Sequence, residues 1–270
     1  MKPESVLRHI ALTVLATAFV LPLVWLIAGS LRTPGLPPPR AVEWLPDPLT
    51  WSNYARIFDL APLGRQTLNS LIVVALAVPV TVVIASWTGF ALAQLPREDR
   101  TPLIRMSIVL LMIPFTAVWL GRFLIFSQLS LVNTVWALVA PAFMGTSPFF
   151  ALLFYWTFRR LSSEVYESAR LDGAGALTVW WRVALPQAAP TAIGVAVLTC
   201  VVYWSDFISP LLYIKSPESY TLPIGLQLLQ QMDRTNFPLL LAASVVMIVP
   251  LLVLYALLQI VIARASRPNR

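Results

Sequence analysis

Between Arg65 and Pro96 the chain reads QTLNSLIVVALAVPVTVVIASWTGFALAQL, residues 66–95, without one ionisable side chain. A helix crosses the hydrocarbon core of a bilayer in roughly 20 residues, so this run is long enough to span it. A soluble domain would have to bury such a helix on every side. The flanks, Arg65 before and Arg97, Glu98, Asp99 and Arg100 after, mark where water resumes.

Comparable uncharged runs extend outward on both sides: Ile10 to Leu31, Met106 to Gly121, Phe123 to Phe158, Val183 to Ser205 and Asn236 to Ala263. A chain of 270 residues that is 58% hydrophobic and 11% charged, with mean hydropathy +0.77, has too little interior to hide them all. Phe123 to Phe158 is too long for one crossing, and its polar middle, Ser127 to Thr134, reads as a loop, so the fourth span starts near Val135. The expectation is an all-α membrane protein of six transmembrane helices. Lys2 and Arg8 ahead of Ile10 to Leu31 also suit a secretory leader, but a leader's apolar core runs only about 7–15 residues and further spans follow.

Six crossings put both termini on one side of the membrane. With the ends cytoplasmic, the inner segments hold Lys2, Arg8, Arg97, Arg100, Arg105, Arg159, Arg160, Arg170, Arg182, Arg264, Arg267 and Arg270, the larger share of the 19 basic residues. The positive-inside tendency favours that arrangement. Residues 1–9 are then a cytoplasmic N-terminus, 10–262 a transmembrane domain with a cytoplasmic loop at 159–190, and 263–270 a cytoplasmic tail. The longest outer segment, Arg32 to Arg65, starts with an extended proline-rich stretch and continues into a short helix around Asn53 to Phe58.

Several chemistries are excluded. The one histidine, His9, and one cysteine, Cys200, cannot make the usual zinc sites, and no catalytic or metal residue is expected. The only lysines, Lys2 and Lys215, do not follow glycine as a phosphate-binding loop requires, so energy for any transport comes from another chain. The net charge of +7 is distributed between apolar runs rather than clustered, which argues against a nucleic-acid partner.

One inner loop demands a defined structure: LSSEVYESARLDGAG, residues 161–175. It reads as a short helix with Ser163 as N-cap, Glu164 and Glu167 near the positive end of the dipole, and Gly173 closing it in a left-handed conformation. A helix of about ten residues does not persist alone in water. Val165, Ala169 and Gly173 recur every fourth residue and are expected to form the face that docks on a partner. Glu164, Glu167 and Asp172 outweigh Arg170, which makes protein a better partner than anionic lipid.

Glu167-Ser168-Ala169, Asp172-Gly173-Ala174, Trp180, Val183, Leu185-Pro186 and Pro190 resemble the inner-loop signature of permeases of ATP-binding-cassette importers, with Ser168 for the middle alanine and Trp180 for the common phenylalanine. Asn53-Tyr54, Asn69-Ser70-Leu71, Met112-Ile113-Pro114, Trp204 to Leu211 and Thr221 to Leu226 resemble the carbohydrate branch, in the smaller, maltose-permease-like subunit type. The resemblance implies a coupling helix between spans four and five that sits in a groove of an ATPase subunit, with Glu167, Ser168, Ala169, Asp172, Gly173, Ala174, Leu185 and Pro186 carrying the contact. It further implies a sister permease, two ATPase subunits or a homodimer holding ATP and Mg, and an extracytoplasmic solute-binding protein. This chain would bind no cofactor itself, and would sit among lipid in a bacterial inner membrane.

Tyr203, Trp204 and Asp206, at the outer end of the fifth span, are candidates for the translocation path. A carboxylate at that depth faces a cavity or a partner, or else reaches interfacial water. Rival readings are an importer of the same architecture for a non-sugar solute and an ion-driven secondary transporter.

Overall fold

The computed structural model describes residues 3–232 and 235–265, and among these all regular structure is helical. In chain order the helices are α1 (Pro3–Ser30), α2 (Ser52–Leu60), α3 (Leu63–Gln94), α4 (Arg97–Met112), α5 (Trp119–Gln128), α6 (Val135–Val139) and α7 (Pro148–Arg159). They continue as α8 (Ser163–Leu171), α9 (Ala176–Thr178), α10 (Leu185–Gln187), α11 (Ala189–Trp204), α12 (Ile208–Tyr213), α13 (Leu222–Met232) and α14 (Phe237–Ala265). A π-helical turn, Val179–Ala184, joins α9 to α10.

Among the described residues, four stretches are long and apolar enough to cross a membrane: Arg8–Ser30, Leu63–Gln94, Val135–Arg159 and Phe237–Ala256. Two bent pairs raise the number to as many as six if each is one span. The expected third span is one of them. Helix α4 stops at Met112, the chain turns by 93°, and Phe115–Gln128 continues in a new direction. The break falls at Ile113-Pro114, where proline disfavours helical geometry in the residue before it, and Ile113 is extended at φ −74°, ψ 120°. The fifth is bent by 83° between Gln187 and Ala189. Pro22, Pro79 and Pro250 lie inside α1, α3 and α14, which continue through them. The expected tail, 263–270, lies mostly outside the described residues.

The chain divides into two compact units. Residues 1–66 with 222–254 form the first. Its α2 is fixed by Asn53, fully buried, whose side-chain amide donates to the carbonyls of Ser30 at 2.9 Å and Arg32 at 2.6 Å. The Tyr54 hydroxyl pairs with Ser30 Oγ at 2.7 Å. Asn236 Oδ1 accepts from the Gly35 amide at 2.9 Å, and Gly225 lies against the buried Gln66 side-chain amide, which would have to shift to admit a Cβ.

Residues 67–221 with 255–270 form the second unit, which holds two apolar clusters. One gathers Val73, Ala77, Phe126, Leu138, Tyr203 and Tyr213. The other gathers Phe90, Phe154, Phe158, Tyr166, Trp180 and Val195, drawn from α3, α7, α8, the π turn and α11. Helices α3 and α7 meet at Gly89, where an added Cβ would lie 2.6 Å from Phe154 Cβ and 2.7 Å from both Ala151 O and Tyr155 N. Three polar side chains inside the bundle pair with one another, an arrangement that suits a lipid-embedded protein. Thr81 Oγ1 meets Thr146 Oγ1 at 2.6 Å, and Thr146 Oγ1 meets the Tyr203 hydroxyl at 3.1 Å.

Candidate functional site

Helix α8 begins one residue earlier than its sequence suggests. Ser162 is the capping position, with extended backbone at φ −64° and ψ 144°, and Ser163 is already helical. The end is as expected. Gly173 has φ +80°, its amide donates to Arg170 O at 3.0 Å, and the Ala174 amide reaches back to Ala169 O at 3.0 Å. Those two bonds are the paired closure of a Schellman turn, which needs a residue without a Cβ penalty in the left-handed region.

Part of the stripe picked out by the four-residue spacing packs against the chain itself. Tyr166, 8% exposed, supplies the largest apolar surface on the helix and turns inward against Phe90, with ring centroids 6.1 Å apart. Ala169 and Ala174 are half-buried against the same cluster, so Ala169 contacts its own chain. Val165 is half-buried, and Gly173 is exposed with no other atom within 4 Å of where a Cβ would sit. Burying Tyr166 points Glu164, Glu167, Ser168 and Leu171 to the surface. Leu171 is 88% exposed, although it is apolar, and Asp172 beside it is exposed as well.

Two side-chain hydrogen bonds root α8. The Tyr166 hydroxyl donates to Phe158 O in the last turn of α7 at 3.1 Å, and Arg170 Nη2 donates to Gln94 Oε1 at the end of α3 at 2.7 Å. Burial pushes the Tyr166 phenol above its ordinary pKa. Between α8 and the ends of α3 and α7 is a cleft of about 320 Å³, lined on its polar side by Gln94, Arg159, Glu167 and Arg170. Beyond the Schellman turn, Trp180 is buried against Trp87, with centroids 5.1 Å apart. Leu185 is half-buried on the same cluster and Pro186 is exposed.

The second group of sequence candidates lies elsewhere in this unit. Tyr203 and Trp204 are 8% and 2% exposed, so both rings are packed in this conformation. Asp206 is half-buried and its Oδ1 accepts from the Ser209 amide at 3.1 Å, organising the start of α12. The sequence reading missed Tyr166, Arg170 with Gln94, and Gly89. Tyrosine inside an interfacial helix reads as a surface residue, and the pairing of Arg170 with Gln94 depends on long-range topology.

Comparison with known proteins decides what kind of chain carries this helix. Residues 1–267 match the family described as binding-protein-dependent transport system inner membrane component. The chain belongs to this family. It is an all-α, multi-pass membrane permease. The permease is similar to the sulfoquinovosyl glycerol transport system permease protein SmoH of Agrobacterium fabrum, at 28% identity over 94% of this chain and 89% of that one. It is also similar to the arabinooligosaccharides transport system permease protein AraQ of Halalkalibacterium halodurans, at 31% identity over 94% and 92%. Its fold matches a chain in the crystal structure of a bacterial ABC transporter involved in the import of the acidic polysaccharide alginate, with TM-score 0.73, 18% identity and 95% coverage of both chains.

Proposed function

We propose that the permease forms, with a sister permease, the path by which a sugar or sugar derivative enters the cell, driven by ATP hydrolysis on separate ATPase subunits. The observation that carries this reading is α8. It is too short to stand alone, it is rooted on its own chain by Tyr166 and Arg170, and it turns Glu167, Ser168, Leu171 and Asp172 outward. An ATPase subunit, holding ATP and Mg, grips that outward side, with Glu167 facing a basic residue of the groove. Both termini lie in the cytoplasm in this arrangement, and a solute-binding protein delivers the cargo from outside. The names of SmoH and AraQ support a glycoside-like cargo, since each is a permease of a system for a sugar-containing solute.

The test is reconstitution of the permease with its sister, ATPase and binding proteins in vesicles. Uptake of a labelled oligosaccharide should stop on ATP depletion and continue when ion gradients are collapsed by ionophores. Uptake that fails on collapse of the gradient and survives ATP depletion would overturn the reading. Binding of phosphate or peptide, rather than sugar, to the cognate binding protein would overturn the choice of cargo.

A further inference from the structure

The proposed grip on the outward face of α8 leaves open how movement of that face reaches the spans. Tyr166 touches both of the helices that enclose the inner apolar cluster. Its hydroxyl bonds to the Phe158 carbonyl of α7 at 3.1 Å, while its ring lies 6.1 Å from the Phe90 ring of α3 at 63°. Phe90 and Phe158 in turn meet edge to face at 5.7 Å, and Phe158 stacks on Phe154 at 5.8 Å. Phe158 and Phe154 are 1% and 0% exposed, so this aromatic row has no slack to absorb a shift. The second tie, Arg170 to Gln94 at 2.7 Å, fixes the far end of α8 to the last residue of α3.

Two ties one turn apart fix both the position and the rotation of a short helix. We infer that Tyr166 and the Arg170–Gln94 pair are positioning residues that convert displacement of α8 into displacement of α3 and α7. The inference rests on the proposed coupling role of α8 and adds which of this chain's own groups carry the motion inward. Tyr166 transmits through packing and one hydrogen bond, and Arg170 through a charge-assisted hydrogen bond to a neutral acceptor. Tyr166 is buried away from the outward face, and Gln94, the acceptor of the exposed Arg170, belongs to α3 rather than α8, so substitutions at Tyr166 and Gln94 separate the two roles in experiment. The Tyr166 hydroxyl is committed to the chain's own carbonyl, and the Arg170 guanidinium to the chain's own amide.

The test uses the complete importer in vesicles, measuring solute transported per ATP hydrolysed together with ATPase subunit recovered on purification through the permease. In Tyr166→Phe, which deletes one oxygen and keeps the ring, ATPase recovery should match wild type while solute per ATP falls several-fold. Gln94→Leu should lower the ratio in the same way, and Gln94→Glu, which keeps an acceptor for Arg170, should restore it. Glu167→Lys examines the underlying reading and should lose ATPase subunit. Loss of ATPase in Glu167→Lys with an unchanged ratio in both Tyr166→Phe and Gln94→Leu would overturn this inference alone. Undiminished ATPase recovery in Glu167→Lys would overturn the docking reading and the inference with it.

Discussion

Glycine does opposite work at two positions. At Gly173 the chain needs a left-handed φ of +80° and nothing of its own lies within 4 Å, so the constraint is conformational. A β-branched residue there should cost roughly 1–2 kcal/mol of local stability, and asparagine, which tolerates the left-handed region, should cost less. Thermal unfolding in detergent should therefore rank Gly173→Asn above Gly173→Val, and a reversed order would contradict the turn assignment. Bulk at the same site has nothing to strike within this chain, so Gly173→Trp should insert normally yet block uptake by obstructing the partner. Gly89 is the reverse case. Its backbone is ordinary helix, but a Cβ would press on Ala151 O and Tyr155 N at 2.7 Å, and backbone atoms of a packed helix do not yield cheaply. Gly89→Ala should lower the unfolding temperature by the equivalent of about 1–3 kcal/mol, and an unchanged melt would show that α3 and α7 are not held this closely.

At the scale of elements, what the sequence makes legible is what depends on local composition. The apolar runs announce α3, α14 and the end of α1 within a few residues, and Gly173 announces the end of α8. The bend of 93° after Met112 was not legible, because hydropathy records the apolar length of a segment and not its direction. The inward turn of Tyr166 was not legible for a related reason. Four-residue spacing picks out Val165, Ala169 and Gly173, but the cluster of Phe90 and Phe158 that receives Tyr166 is assembled from residues distant in sequence. The short motifs Asn53-Tyr54, Asn69 and Gly225 were visible, and their work is now specific. Asn69 Nδ2, for example, donates to the carbonyls of Glu218 at 2.8 Å and Tyr220 at 2.9 Å, tying the loop before α13 to α3. Helix α8 owes its existence to this kind of long-range support. A peptide of residues 159–175 should show little helix by circular dichroism in water, and stable helicity in isolation would remove the argument that α8 needs a surface.

On the whole-molecule scale, long apolar helices that suit lipid accompany shorter polar segments, of which α8 is the one we propose docks in a protein groove. Glu164, Glu167 and Asp172 are exposed, and so is the apolar Leu171, a combination that suits the proposed partner if its groove has an apolar socket and a basic rim. The most direct test of that account is a cross-link. With Leu171→Cys in the assembled importer and a single cysteine introduced in the groove of the ATPase subunit, mild oxidation should join the two chains, and the yield should change when nucleotide is added. Absence of any cross-link to the ATPase, in an importer that still takes up its sugar, would contradict the claim that α8 is where the ATPase takes hold.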